Sequence, residues 1–163
     1  MNVGFIGLGI MGTPMAGHLI DAGHQLFVYD VFKIPEALTA KGATAVASST
    51  EVAKHADIII LMVPDTPHVD EAVFGAGGVA AGLTPGKIVV DMSSISPVET
   101  KKFAEKINAL GCDYLDAPVS GGDVGAKAAS LTIMVGGPEG AFETVKPLFE
   151  RMGKNITLVR GND

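Results

Sequence analysis

Apolar runs of four to seven residues alternate along this chain with stretches whose apolar positions recur every three or four residues. Short continuous apolar runs mark strands buried on both faces, and their alternation with helical stretches is that of a parallel sheet covered on both sides. The pattern predicts strands over 2–6, 25–30, 44–46, 57–62, 87–91, 113–116, 130–135 and 156–159. Helices are expected over 10–21 and from Pro35, Ser49, Pro67 and Ser96 onward. The stretch after Gly137 reads as helix and then a closing edge strand. The expected fold is α/β and doubly wound, with a mostly parallel sheet of about eight strands and helices on both faces.

The fourth run, ADIIILMVPD, has no polar face, so it belongs at the centre of the sheet. Its end carries Val63, Pro64 and Asp65. Ligands of open α/β sheets bind beyond the carboxyl ends of the strands, although Pro64 by itself also serves as a rigid turn into a helix. KIVVDM runs into SSISPVET, where Ser96, Pro97 and Glu99 have the spacing of a capping box. That leaves Ser93 and Ser94 as local caps or as hydroxyls for a ribose or carboxamide.

The junction between the first strand and first helix holds the strongest chemistry. Gly7, Gly9 and Gly12 make the G-x-G-x-x-G spacing of a Rossmann-type dinucleotide fold, with Leu8, Ile10 and Met11 between them. The first glycine permits the tight turn, the second lets a pyrophosphate approach bare backbone, and the third allows close helix packing. Asp30 ends the next strand about twenty residues on, where a carboxylate accepts from ribose hydroxyls and repels a 2′-phosphate. The expected cofactor is therefore NAD, with NADH preferred over NADPH. A second glycine-bearing site, Ser120, Gly121 and Gly122, offers a hydroxyl and bare N–H groups to a small carboxylate substrate. Its surroundings read as a long loop.

Composition narrows the partners. A net charge of -6 without a basic cluster argues against nucleic acid or an anionic membrane. The lone Cys112 excludes an internal disulfide and suits a reducing compartment, and no leader precedes the first strand, so the cytoplasm is expected. His18, His24, His55 and His68 lack metal-ligand spacing, and Asp91, Asp113 and Asp116 have no spacing that pairs them. No metal site is expected.

Four stretches, GFIGLGIMGTPMA, MVPDTPHV, DMSSISP and YLDAPVSGG with LTIMVGG, together resemble the β-hydroxyacid dehydrogenases over the whole chain. The resemblance implies oxidoreductase chemistry between a nicotinamide and a small β-hydroxyacid or its semialdehyde. It places the glycine turn at the pyrophosphate, Asp30 at the adenosine ribose, and Val63, Pro64, Asp65 and Ser94 toward the nicotinamide. Ser120, Gly121 and Gly122 take the substrate carboxylate. His18, Ala129 and Arg160 depart from the family, with Ala129 standing where glycine is usual. In the family a helix bearing the catalytic Lys and an all-helical, dimer-forming domain come next. The resemblance puts that Lys beyond Asp163, and none of the lysines present matches its motif. It thus implies that residues 1–163 are the NAD-binding domain of a homo-oligomeric enzyme, able to bind NADH but not to turn over alone.

Overall fold

A computed structural model describes residues 1–159. Arg160 and Asp163 therefore lie outside the described residues, as does the expected junction with a Lys-bearing helix. The order is β1 (Asn2–Ile6), α1 (Gly12–Asp21), β2 (Gln25–Tyr29), α2 (Glu36–Ala40), β3 (Thr44–Ala45), α3 (Ser49–His55), β4 (Ile58–Leu61) and α4 (Thr66–Phe74). A 3-10 turn (Val79–Gly82), β5 (Ile88–Asp91), α5 (Pro97–Ala109), β6 (Asp113–Asp116) and β7 (Val119–Ser120) follow. The described chain closes with α6 (Gly122–Ala128), β8 (Leu131–Val135), α7 (Glu139–Met152) and β9 (Gly153–Leu158).

The first six strands form one parallel sheet in the order β3-β2-β1-β4-β5-β6. Strand order reverses between β1 and β4, which opens a crevice between the chain segments leaving those two strands. Alternate residues of each strand feed two cores. Val3, Phe5, Val28, Ile60 and Val90 pack toward α1 and α7, while Ile6, Ile59, Leu61, Val89 and Tyr114 pack toward α3, α4 and α5. No helix among the described residues is long and apolar enough to cross a membrane.

The single eight-stranded sheet expected from the sequence is corrected to nine strands in two sheets among the described residues. β7, β8 and β9 make a separate three-stranded sheet, with β7 antiparallel to β8 and β8 parallel to β9. The expected loop after Ser120 is in fact the short helix α6. Ala129 ends α6 in the left-handed region at φ 54° and ψ 38°. A side chain there costs roughly 1 kcal/mol relative to glycine, in keeping with the glycine that the family resemblance implies for this position.

One cap expectation changes. α3 begins at Ser49, as expected, and is capped by Ser48, whose hydroxyl accepts from the Glu51 N–H at 3.2 Å. At α5, Ser96 makes no side-chain cap. Its N–H donates instead to Thr66 Oγ1 at 3.1 Å, so the group that Glu99 would reach in a capping box is already taken.

Candidate functional site

The crevice between β1 and β4 is a cavity of about 590 Å³, within the range of a small-molecule or cofactor site. Gly7, Gly9, Ile10 and Met11 line one wall, Asp30 with Val31 and Phe32 the β2 end, and Val63, Pro64 and Ser94 the opposite side. Leu8, Gly12 and Asp65 do not line it. Leu8 is buried and contributes its N–H to Asp30, Gly12 lies beneath the turn, and Asp65 caps α4 by accepting from the Thr66 N–H at 2.7 Å.

The three glycines have distinct local causes. Gly7 holds φ +100°, and a Cβ there would strike the Met62 carbonyl. A Cβ on Gly12 would strike the Gly7 carbonyl, so α1 starts against the turn that precedes it. A Cβ on Gly9 would meet nothing within 4 Å, which leaves open space in front of its backbone. The N–H groups of Gly9, Ile10 and Met11 find no protein acceptor among the described residues. With α1 behind them, they form an anion-facing helix start. Open space, free donors and a cavity of this volume fit a dinucleotide pyrophosphate.

Asp30 closes the β2 end. Its Oδ1 accepts from the Leu8 N–H at 3.0 Å, while Oδ2 accepts from the Phe32 and Lys33 N–H groups at 3.1 and 3.3 Å. The carboxylate therefore ties the glycine turn to the loop after β2 and remains at the cavity wall.

Sequence reasoning missed several wall residues. Tyr29, Phe32, Ser49, His68, Glu71 and Gly77 reach the cavity from four different segments, and only the strand order brings them together. Phe32 is 93% exposed at the rim. Of the two serines after β5, Ser94 lines the cavity, whereas Ser93 is fully buried and its hydroxyl accepts from the Val63 N–H at 2.9 Å. His18 is a structural contact, bonded through Nε2 to the Ala126 carbonyl at 2.8 Å.

Ser120, Gly121 and Gly122 do not line this cavity. Ser120 lies on β7 opposite Thr132, Gly121 (φ +132°) precedes α6, and Gly122 (φ +59°) begins it. Two backbone contacts connect the neighbourhood of that turn to the main sheet. The Ala117 N–H donates to the Asp91 carbonyl at 2.7 Å, and Asp116 bridges Gly136.

The reading of Asp91 and Asp116 as unpaired is corrected: they are register partners at the ends of β5 and β6. Asp91 is fully buried, accepting from the Ser93 N–H and the Tyr114 hydroxyl, each at 2.9 Å. Burial pushes its carboxyl up to about 6 against the opposing pull of those bonds. Asp116 is also pushed up to about 6, first by burial and then by the charge of Asp91. Burial and that same charge raise the Tyr114 hydroxyl, which stays a donor.

The raised carboxyls have a definite effect on stability. An unfolded Asp titrates near 3.9, so between about pH 4 and 6 the folded chain holds more protons, and its stability falls as pH rises through that window. For Asp91 the full effect is on the order of 3 kcal/mol above pH 6. Asp91→Asn is therefore expected to raise the melting temperature at pH 8 relative to wild type, with a smaller gain at pH 4.5. Differential scanning calorimetry at the two pH values tests this, and an equal shift at both would show that the carboxylate is not desolvated.

The strand order, the glycine turn and the Asp-ended second strand define a Rossmann-type nicotinamide-dinucleotide domain. Residues 2–161 match the family described as the NAD binding domain of 6-phosphogluconate dehydrogenase, and the chain belongs to that family. It is 58% identical over 162 residues to the 2-hydroxy-3-oxopropionate reductase of Escherichia coli (strain K12), covering 99% of this chain and 56% of that protein. It is 46% identical over 157 residues to the mitochondrial 3-hydroxyisobutyrate dehydrogenase of Drosophila melanogaster, covering 96% and 48%. A solved structure described as Psf3 in complex with NADP+ and 2-OPP superposes with a TM-score of 0.91 at 29% identity, over 97% of this chain and 56% of that one. The resemblance to the β-hydroxyacid dehydrogenases is thereby borne out. The chain spans about half the length of the curated relatives it matches.

Proposed function

We propose that this chain is the cofactor-binding part of an NAD(H)-dependent enzyme that reduces tartronate semialdehyde (2-hydroxy-3-oxopropionate) to D-glycerate. The observation that carries the cofactor half is the glycine turn, with free N–H groups over open space, tied through Leu8 to the Asp30 carboxylate at the same cavity wall. The substrate half is supported by the MVPDTPHV and DMSSISP stretches, which look most like tartronate semialdehyde reductase, and by the 58% identity to the bacterial reductase. The YDVF stretch and the insect relative favour a second reading, 3-hydroxyisobutyrate dehydrogenase.

In this reading, Gly9, Ile10 and Met11 donate N–H bonds to the pyrophosphate, with Gly7, Leu8 and Gly12 shaping the turn. Asp30 accepts from the adenosine ribose. Val63, Pro64 and Ser94 flank the nicotinamide, and Asp65 fixes the helix start beside it. Ser120, Gly121 and Gly122 hold the substrate carboxylate. Bound NADH supplies the hydride. The developing alkoxide then needs a proton donor, and we assign it to a Lys beyond Asp163, on the helical part implied by the resemblance. The cytoplasm is the compartment we propose, and a homo-oligomer the assembly.

Residues 1–163 alone are expected to bind NADH, followed by its fluorescence, and to leave it unconsumed when tartronate semialdehyde is added. Turnover on the scale of ordinary enzymes, about 10 s⁻¹, would overturn that division of labour. In a protein joining this chain to its helical part, kcat/KM for tartronate semialdehyde is expected to exceed that for the semialdehyde of 3-hydroxyisobutyrate. The reverse order would favour the second reading.

A further inference from the structure

We propose that Asp91 is a positioning residue for the nicotinamide side of the cleft, holding the Val63 peptide in place through Ser93. This inference rests on the dinucleotide reading above and concerns a carboxylate that touches neither cofactor nor substrate in that reading. The geometry is a chain of hydrogen bonds. Tyr114 on β6 donates its hydroxyl to Asp91 at 2.9 Å, and the Ser93 N–H donates to the same carboxylate at 2.9 Å. The Ser93 oxygen in turn accepts from the Val63 N–H at 2.9 Å. Val63 and Pro64 line the cavity, so the last bond of the chain fixes part of its wall.

Two features separate this carboxylate from ordinary packing. It is wholly buried, and no cation pairs with it among the described residues. A lone buried carboxylate is destabilising when ionised, and hydrogen-bond donors of a neutral network would accept an amide in its place. Asp91 also has a backbone role, since its carbonyl accepts from the Ala117 N–H on the segment leading to Ser120. One residue therefore faces both halves of the proposed site.

The titratable groups on this face are Tyr114 and Asp116 of β6, with the Cys112 thiol before the far end of that strand. β4 presents Ile59 and Leu61, α4 Val69 and Val73, and α5 Thr100, Phe103 and Ile107, none of which titrates. His68 and Glu71 of α4 line the cavity itself. A proton on Asp91 removes the charge that orders Ser93, so the Val63 peptide is held less firmly at low pH. A pH effect shared by wild type and variants belongs to the rest of the cavity, and a difference between proteins isolates Asp91.

The test measures NADH dissociation constants for the 163-residue chain at pH 7.5 and pH 5.0, alongside melting temperatures. Wild type is expected to bind more weakly at pH 5.0. Asp91→Asn is expected to bind roughly tenfold more weakly than wild type at pH 7.5, the worth of one charge-assisted hydrogen bond. Its pH dependence should be flatter, and its melting temperature at neutral pH no lower. Ser93→Ala should reproduce the affinity loss and the flatter profile while keeping the carboxylate, and it serves as the readout if Asp91→Asn fails to fold. Variants that bind NADH as wild type does, at both pH values, overturn the inference alone. Wild type that binds neither NADH nor NADPH overturns the dinucleotide reading and this inference with it.

Discussion

Gly9→Val is expected to leave the fold intact and weaken NADH binding by about a hundredfold or more. A Cβ at Gly9 meets nothing within 4 Å, so the folded chain has room for the side chain. The space it fills is that assigned to the pyrophosphate. Losing two N–H bonds to a charged phosphate, at about 1.5–3 kcal/mol each, gives that magnitude. Gly12→Val should behave in the opposite way. Its Cβ is driven into the Gly7 carbonyl, and backbone cannot yield as a flexible side chain does, so the expected outcome is a large fall in melting temperature or no soluble protein. Paired calorimetry and fluorescence titration separate the two outcomes. Equal stability losses for both variants would show that Gly9 is structural, and unchanged NADH affinity in a folded Gly9→Val would remove the pyrophosphate from this turn.

Asp30→Asn is expected to erase most of the discrimination between NADH and NADPH. Asparagine keeps an oxygen for the Leu8 N–H, so the tie to the glycine turn survives while the charge is removed. In the wild type, a 2′-phosphate beside the carboxylate meets like charge, worth about 4 kcal/mol for unit charges 4 Å apart near a protein surface. Solvent reduces that figure at a half-buried site, and a preference of at least roughly tenfold for NADH remains the expectation. The exposed Lys33 follows closely, its N–H already bonded to Asp30, and its ammonium can approach a 2′-phosphate once the carboxylate is neutral. Titration of both cofactors against both proteins measures the ratio. Equal wild-type affinities would mean that Asp30 does not face the ribose.

The main sheet was legible because its signals are local and redundant. Each of β1, β4 and β5 is a continuous apolar run, and the glycine spacing fixes the turn and helix after β1. The second sheet had no such signal. β7 is only Val119 and Ser120, too short for any period, and α6 is the glycine-bearing GDVGAKA, which composition assigns to a loop. β9 begins at Gly153 with exposed Lys154 and Asn155, so the apolar pattern showed only its second half. Cap positions were ambiguous for a different reason. Three adjacent hydroxyl residues, Ser48, Ser49 and Thr50, satisfy the same rule, and only the backbone turn selects Ser48. The pairing of Asp91 with Asp116 depends on β5 and β6 being neighbours in register, a fact of strand order that spacing along the chain does not carry. The same holds for Phe32, His68 and Gly77 on the cavity wall.

Every residue lining the cavity falls between Ile6 and Ser94, whereas Ser120, Gly121 and Gly122 belong to β7 and α6 and the turn between them. The two proposed duties are thus arranged in series along the chain, with α5 and β6 as the stretch between them. A single genetic crossover within α5 would graft a different substrate turn onto an unchanged dinucleotide half. Such a hybrid would still have to supply a hydroxyl at Tyr114 for Asp91 and a backbone N–H at Ala117 for the Asp91 carbonyl. Those two contacts, together with the β5–β6 pairing, the His18–Ala126 bond and the core shared by α1 and α7, make up the joint that recombination must preserve.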